Sequence, residues 1–528
     1  MMRRLPLRAL PCRALVALTL TALIVGGCGM QNHALPTTPN TTLVPVTPVP
    51  SATSVPATPT PSPSPSPSPT PHLTALVPVA TFWSPVVGIS LADLRTLLTG
   101  GKTASFSSVV VEAGFGQAVV NSLGLAISVV GEMEPAVLFA ALKPGVLGLV
   151  RIDDLSPSVS ALALDGLTLF GASRLRDFAR WPLLVADPTS SFDYSSVWTL
   201  AGGGDVNLDR NVYRESITRK RGVDYPWVGG TSVITGRYCC GLGSNSLVRG
   251  KTTGSPGSFG AVFADSDVSL VNLEGPAPNK FSYHPNGFSF SFDPVLLAGL
   301  AHTGIDAVGL ANNHIRNAGN QGVRDTLVNL DAVGIAHAGA GTNLATAQSP
   351  AWLSAGGQRI AFLAFDAIQS ANWATSSRPG AAPLNMVAVV ADIKAARVAG
   401  ADIVVVMPHW GTEYTAAISA VQRREAAAMV AAGADIILGS HPHWLSGIAL
   451  VGGIDGRTAF IDYSLGDLIF DLNRDERTQE GVIAELTFSG SRLISVKLIP
   501  TLLLNYSQGS ILTGAGAAKV LADIRRAS

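Results

Sequence analysis

From about residue 196 to the C-terminus, short apolar runs alternate with longer amphipathic ones. The first kind are 197-VWTLAGGGD-205, 268-VSLVNLE-274, 305-IDAVGLA-311, 359-RIAFLAF-365, 402-DIVVVMPH-409, 435-DIILGSH-441 and 458-TAFIDYSLGD-467. Near-continuous Val, Ile and Leu over so few residues predicts strands buried on both faces. Between them lie 293-DPVLLAGLAHTG-304, 321-QGVRDTLVNLDAVG-334, 385-NMVAVVADIKAARVAG-400 and 418-ISAVQRREAAAMVAAG-433, which read as helices stopped by glycine. The run 481-GVIAELTFSGSRLISVKLIPTLL-503 reads as a hairpin or meander. Strand and helix in alternation predict an α/β fold with a largely parallel sheet.

Upstream, residues 73–195 form a separate pattern. In 86-VVGISLADLRTLLTGG-101, Ser90 caps an amphipathic helix that ends at Gly100 and Gly101. This unit carries no histidine and no catalytic cluster. It resembles part of a periplasmic solute-binding domain of the phosphate-binding type, or is a small α/β accessory domain.

The first 72 residues change the picture again. Arg3, Arg4, Arg8 and Arg13 precede an apolar run at 14–25, too short to span a bilayer comfortably and expected to be a signal peptide over 1–27. It closes on 25-VGGC-28, which resembles a bacterial lipobox and makes Cys28 the expected site of lipidation. Residues 28–72 follow as a Pro/Ser/Thr-rich tether, where 13 of the 34 prolines fall. Such a composition cannot build a core and stays extended. The expected plan is an extracytoplasmic lipoprotein held at the cell membrane by an N-terminal lipid anchor.

Composition excludes some partners. The 528 residues carry zero net charge and no block of Lys or Arg, so nothing points to nucleic acid. Of four cysteines, Cys12 leaves with the signal and Cys28 takes the lipid. The adjacent pair Cys239 and Cys240 has no metal-ligand spacing and is expected to be structural or weakly redox-active.

Polar residues gather at the ends of the predicted strands. Asp205 ends the first and Glu274 the second; Asn313 and His314 follow the third, His409 ends the fifth, and His441 and His443 close the sixth. A lone strand-end histidine is usually a satisfied polar residue. Several such ends in one parallel sheet would converge on one crevice. Carboxylate, amide and imidazole donors suit Mn, Fe or Zn. In 441-HPH-443, an extended backbone would put both imidazoles on one side.

The motifs GDVNLDR, VNLEGP, LANNH, MPHWGTEY, GSHPHW and DYSLGDLIFD occur in this order. Together they resemble the CapA-type poly-gamma-glutamate capsule-synthesis family, within the calcineurin-like metallophosphoesterase superfamily, over about 197–472. The resemblance implies a four-layer αββα sandwich over 196–528 with two divalent metal ions at the strand ends. It implies Asp205, Glu274, Asn313, His409, His441 and His443 as ligands, with Glu274 in the bridging position. His314 would stay off the metals and protonate the leaving group or steady the transition state. Arg210 would contact an anionic substrate, and Glu413 and Tyr414 would support the ligands from behind. Trp410 and Trp444 would wall the site or simply pack.

Three positions depart from the family pattern. Asn207 stands where the superfamily usually has a metal-binding His, and is expected to bind metal weakly or not at all. Asn317 replaces an Asp three residues after His314, and Asp467 replaces the Asn of an SLGN motif. Two functions follow. One is a surface-anchored metal-dependent hydrolase acting on a phosphoester or an envelope polymer. The other is a polymer-binding or assembly protein with weakened catalysis on the same fold.

Overall fold

The computed structural model describes residues 72–126 and 131–528. The signal, the lipidation expected at Cys28 and the tether up to residue 71 lie outside them. These described residues form one compact unit.

Within it, the segment from Leu73 to Ala186 builds a mixed six-stranded sheet around its own apolar core. The Ser90 side chain accepts from the Asp93 N–H and opens the helix Leu91–Leu98. This sheet docks on the C-terminal hairpin: Ile494 belongs to its core, and Glu485 accepts from the Ala172 N–H at 2.8 Å.

The rest is built on two larger sheets. One has ten strands and includes Val197–Val206, Val268–Leu273 and Ala307–Gly309 as parallel neighbours, with the hairpin Glu480–Ser489/Arg492–Leu504 on one side. The other has six strands, with Gln358–Asp366, Ile403–His409, Ile436–Leu438 and Thr458–Asp462 parallel. The side-chain period of two sorts every buried strand into two cores. Ile360, Phe362 and Ala364 face the ten-stranded sheet, whereas Ala361, Leu363 and Phe365 pack under helices Met386–Val398 and Ala420–Ala432. The other sheet repeats this logic in its glycines. A side chain at Gly202 would strike Leu438 of the facing sheet, and one at Gly203 would press on Phe263 of helix Ser258–Ala264 on the opposite face. The order is therefore helices, sheet, sheet, helices.

Two expectations change. The apolar run 458–467 is not one strand. It leaves the six-stranded sheet after Asp462, crosses at Gly466 (φ +67°) and joins the ten-stranded sheet as Asp467–Ile469, paired with Asp205–Val206. Gly204 permits the crossing, because a Cβ there would collide with the Gly466 carbonyl. The strand ends that carry the polar residues also belong to two sheets rather than one. They meet because both sheets present their carboxyl ends along the same edge of the sandwich.

Asp462, at the start of that crossing, is fully buried and one of its oxygens has no partner. Burial pushes its carboxyl up to about 8, only partly offset by the Ser464 N–H. The unfolded chain ionises near the ordinary value while the folded protein does not, so Asp462 withdraws stability as pH rises from about 4 to 8. Asp462→Asn is expected to gain roughly 1–3 kcal/mol at pH 8, the relieved charge less one unpartnered amide. Near pH 4 it should gain nothing. Denaturant melts at both pH values check this, and an equal gain at each would contradict it.

Candidate metal centre

The register of the strands sets the site. Asp205 sits opposite Asn272 on one side and Asp467 on the other. The Asn272 amide donates to Asp205 Oδ1 at 2.7 Å, and the His441 N–H lies 3.1 Å from Oδ2. Two residues beyond Asn272 on the same strand face, Glu274 is fully buried, and neither of its carboxylate oxygens has a hydrogen-bond partner. His409, ending its strand, is held at Nδ1 by the Ser440 hydroxyl at 2.9 Å. Its Nε2 lies 2.9 Å from Asn313 Oδ1 and 3.9 Å from Glu274. A second-atom hydrogen bond of this kind fixes which imidazole nitrogen faces a ligand.

His441 and His443 arrive differently from expectation. They lie in no strand. Both adopt left-handed backbone angles (φ +95° and +58°), and the bend brings their rings to 6.0 Å. For non-glycine residues this conformation costs of order 1–3 kcal/mol and persists only where the surroundings enforce it. Tyr414, stacked on His443 with ring centres 5.8 Å apart, shares the feature at φ +59°.

Three triads offer one ligand atom each within 4.8 Å of one another: Asp205–Glu274–His409, Asp205–His443–Asp467 and Glu413–His441–His443. They share Asp205 and His443, so they form one continuous cluster. Asp205 is the residue common to two acidic triads, whereas the resemblance put Glu274 in the bridging position. Glu413, expected behind the ligands, offers a carboxylate directly.

Electrostatics carry the same message. Burial raises the Asp205 and Glu274 carboxyls, and Asp205 raises Glu274 further. Burial lowers His409 well below the usual range and takes His441 to about 3, leaving both imidazoles neutral with lone pairs available. Burial would lower His443 too, but Asp467 and Glu274 around it raise it to about 10. Buried atoms without partners include both Glu274 oxygens, Asp467 Oδ2 and His441 Nδ1. Each costs about 1–3 kcal/mol unless something satisfies it. Divalent cations would satisfy them together and replace the bound protons, so the donor set fits metal of the O/N-binding class.

His314 stands over this cluster, its Nε2 3.7 Å from Glu274 and 3.1 Å from the Asn313 amide nitrogen. The Asn317 amide nitrogen lies 2.9 Å from its Nδ1 and donates there, where an Asp could only accept. Burial, with His443 and Arg210 nearby, takes the imidazole to about 4. His314, Phe290, Phe470 and Tyr414 line a pocket of about 380 Å³ that opens onto the cluster.

Other expected site residues are committed elsewhere. Asn207 donates to the Glu274 carbonyl at 2.8 Å and accepts from the Asp209 N–H, so its amide shapes the loop rather than facing the cluster. Arg210 is paired with Asp471, donates to the Gly287 carbonyl at 2.8 Å and lies over the Phe290 ring. Its guanidinium braces the pocket wall. Trp410 is buried and bonded to the Tyr463 carbonyl, while Trp444 lies against Arg477. Asn272 and Ser440 were not singled out from sequence, and Asp467 stood out only as a departure from the family motif. Asn272 carried a signal, since it shares a strand face with Glu274.

The family profile described as bacterial capsule synthesis protein PGA_cap matches residues 199–472, more than half of the chain. The chain belongs to this family. Every residue of the cluster lies inside the PGA_cap match, and the 73–195 segment lies outside it. The capsule biosynthesis protein CapA of Bacillus anthracis is 32% identical over 254 residues, 47% of this chain and 60% of that protein. The PGA biosynthesis protein CapA of Bacillus subtilis (strain 168) is 33% identical over 214 residues, 40% and 55%. The match thus spans less than two thirds of these relatives. Among solved structures, the NAD nucleotidase of Haemophilus influenzae is similar at 13% identity, covering 62% of this chain and 56% of its own, with a TM-score of 0.35. The calcineurin-like phosphoesterase YfkN of Bacillus subtilis is similar at 12%, covering 62% and 99%, with a TM-score of 0.32. Likenesses of that size carry no argument about chemistry.

Among the described residues no helix is long and apolar enough to cross a membrane. Cys239 and Cys240 form a vicinal disulfide.

Proposed function

We propose that this PGA_cap protein is a metal-dependent hydrolase of capsule or envelope polymer metabolism, held at the outer face of the membrane by a lipid on Cys28. The reading rests on one observation: several buried carboxylate and imidazole atoms without partners converge beneath an open pocket. A fold stabilised only by packing gains nothing from such a cluster.

Asp205, Glu274, His409 and Asn313 would hold one divalent ion, and His441, His443, Glu413 and Asp467 a second. Bound ions of this class acidify water and offset charge on a phosphoryl or acyl oxygen. The protein's own residues do the rest. Asn313 sets the floor of the pocket, with His409 buried behind it. The Phe290, Phe470 and Tyr414 rings exclude water from one side. His314 presents an imidazole nitrogen over the cluster for the reacting group. The substrate is a phosphoester or an acidic polymer such as poly-gamma-glutamate, the latter implied by the resemblance of the motifs to the CapA-type family.

A second reading, a polymer-binding or assembly protein with weak catalysis, draws support from Asn207, whose amide is spent on backbone. The two readings separate on the purified chain. Elemental analysis and turnover of an aryl phosphodiester with added Mn are measured for wild type and His441→Ala. Near two metals per chain, with metal and turnover both reduced in the variant, is the expected result. A metal-free, inactive wild type that still binds polymer would favour the second reading.

A further inference from the structure

A second pocket, of about 560 Å³, lies beside the first and belongs to no part of the machinery above. The extended segment 470–474 divides them. Phe470, Leu472 and Arg474 line the metal-side pocket, whereas Asp471 and Asn473 line the second. Alternation along an extended chain accounts for this division, so the two spaces share a single wall.

The second pocket is cationic by construction. A π-helical turn, Arg214–Thr218, follows the short helix Arg210–Tyr213. Such turns occur often at functional sites. Here the turn buries Glu215 and gathers three guanidiniums around it: Arg219 at 2.8 Å, Arg221 at 3.5 Å and Arg214 at 3.7 Å. Their side chains remain 55, 44 and 47% exposed and line the pocket. One carboxylate cannot neutralise three arginines, and the other acid on the wall, Asp471, is already paired with Arg210. The opposite side adds neutral hydrogen-bonding groups. Tyr506 and Asn505 both take left-handed backbone angles (φ +53° and +52°), and the Tyr506 hydroxyl meets that of Tyr238 at 3.1 Å. Two adjacent non-glycine residues in that conformation are costly and mark a tip whose shape is enforced. Asn211 holds it through the Asn505 carbonyl at 2.8 Å.

We propose that this arginine pocket binds the side-group anions of a polymer that lies across the 470–474 wall, so that one chain occupies both pockets. Guanidiniums favour carboxylate and phosphate groups through paired N–H donors. A single small anion would need neither the volume nor three dispersed cations. The ligand class is a polyanionic chain with carboxylates at a regular spacing. That commitment rests on the function proposed above, whereas anion binding in the pocket does not.

The test is calorimetric titration of the full chain with a γ-linked glutamate decamer, and separately with inorganic polyphosphate. Arg214→Gln/Arg221→Gln keeps the 2.8 Å Arg219–Glu215 pair and so avoids stranding a buried carboxylate. Its thermal midpoint should match wild type. Arg176→Gln, at an exposed arginine of the N-terminal segment, controls for loss of an arginine outside the pocket. The double variant is expected to weaken decamer binding about tenfold or more, and Arg176→Gln to leave it unchanged. Equal decamer affinity in wild type and the double variant overturns the proposal. Arginine-dependent binding of polyphosphate alone overturns the carboxylate assignment. Should the cluster hold no metal while arginine-dependent decamer binding persists, the hydrolase reading falls and this inference stands.

Discussion

Glu274→Gln is expected to cut stabilisation by divalent metal sharply while making the metal-free protein more stable. Both effects come from one fact: the side chain is fully buried, and neither carboxylate oxygen has a partner within the protein. Burial and Asp205 hold its carboxyl well above the usual range. In the metal-free protein, therefore, Glu274 withdraws stability as pH rises from about 4.5, where the unfolded chain begins to ionise, towards its raised folded value. A neutral Gln removes that loss at neutral pH. Wild type regains it another way. A ligand present at 100 times its Kd stabilises the folded state by about 2.7 kcal/mol, and metal that needs the Glu274 charge does this far less for the variant. Thermal melts of both proteins at pH 7, in chelator and in excess Mn or Zn, give the answer. The expected pattern is a crossover: variant above wild type in chelator, wild type above variant in metal. Parallel upward shifts for both proteins would mean that Glu274 holds no metal.

Much of this architecture was legible because buried strands leave a plain signature. The runs at 268–274, 359–365 and 402–409 form strands that end within a residue of those bounds, and Glu274 and His409 land at the sandwich edge. The four helical runs likewise form, with the 418–433 run opening on a Ser419–Gln422 capping box and closing on Gly433 in the left-handed region. What sequence could not give is which sheet a strand joins. An apolar run is equally content in either, so only the family resemblance implied two sheets, and nothing in the pattern foretold the crossing at Gly466. That crossing decides the role of Asp467. Read along one strand, it is the substituted end of a loop motif. Brought beside Asp205, it lies 2.9 Å from His443 and becomes part of the cluster. The HPH histidines show the reverse case. Their convergence was foreseen, but it arises from a bend with two left-handed residues rather than from strand geometry. Asn207 and Arg210 looked like site residues because the motif carries them there. Their hydrogen bonds to Glu274, Asp471 and Gly287 are long-range contacts that no local pattern encodes.

His314→Ala should keep the metal and lose turnover, with kcat for an aryl phosphodiester falling by roughly 10²–10³. Metal should stay because the ring contacts Asn313 and Asn317 and approaches Glu274 only to 3.7 Å. How the imidazole acts follows from its surroundings. Burial comes first, then the neighbouring His443 and Arg210, and together they take it to about 4, so near pH 7 it is neutral. A neutral imidazole donates a hydrogen bond but has no spare proton to transfer as an acid. Its N–H would therefore steady charge on an oxygen of the reacting group, and the Asn317 contact at Nδ1 fixes the ring for that task. This predicts a loss that is nearly independent of the leaving group. The check is kcat for wild type and variant over aryl diesters whose leaving phenols span several pKa units, with metal content determined on the same samples. A loss that steepens as the phenol becomes less acidic would instead make His314 the proton donor, because poor leaving groups need protonation most. A variant that also loses metal would show that His314 supports the ligand set and would remove it from the chemistry.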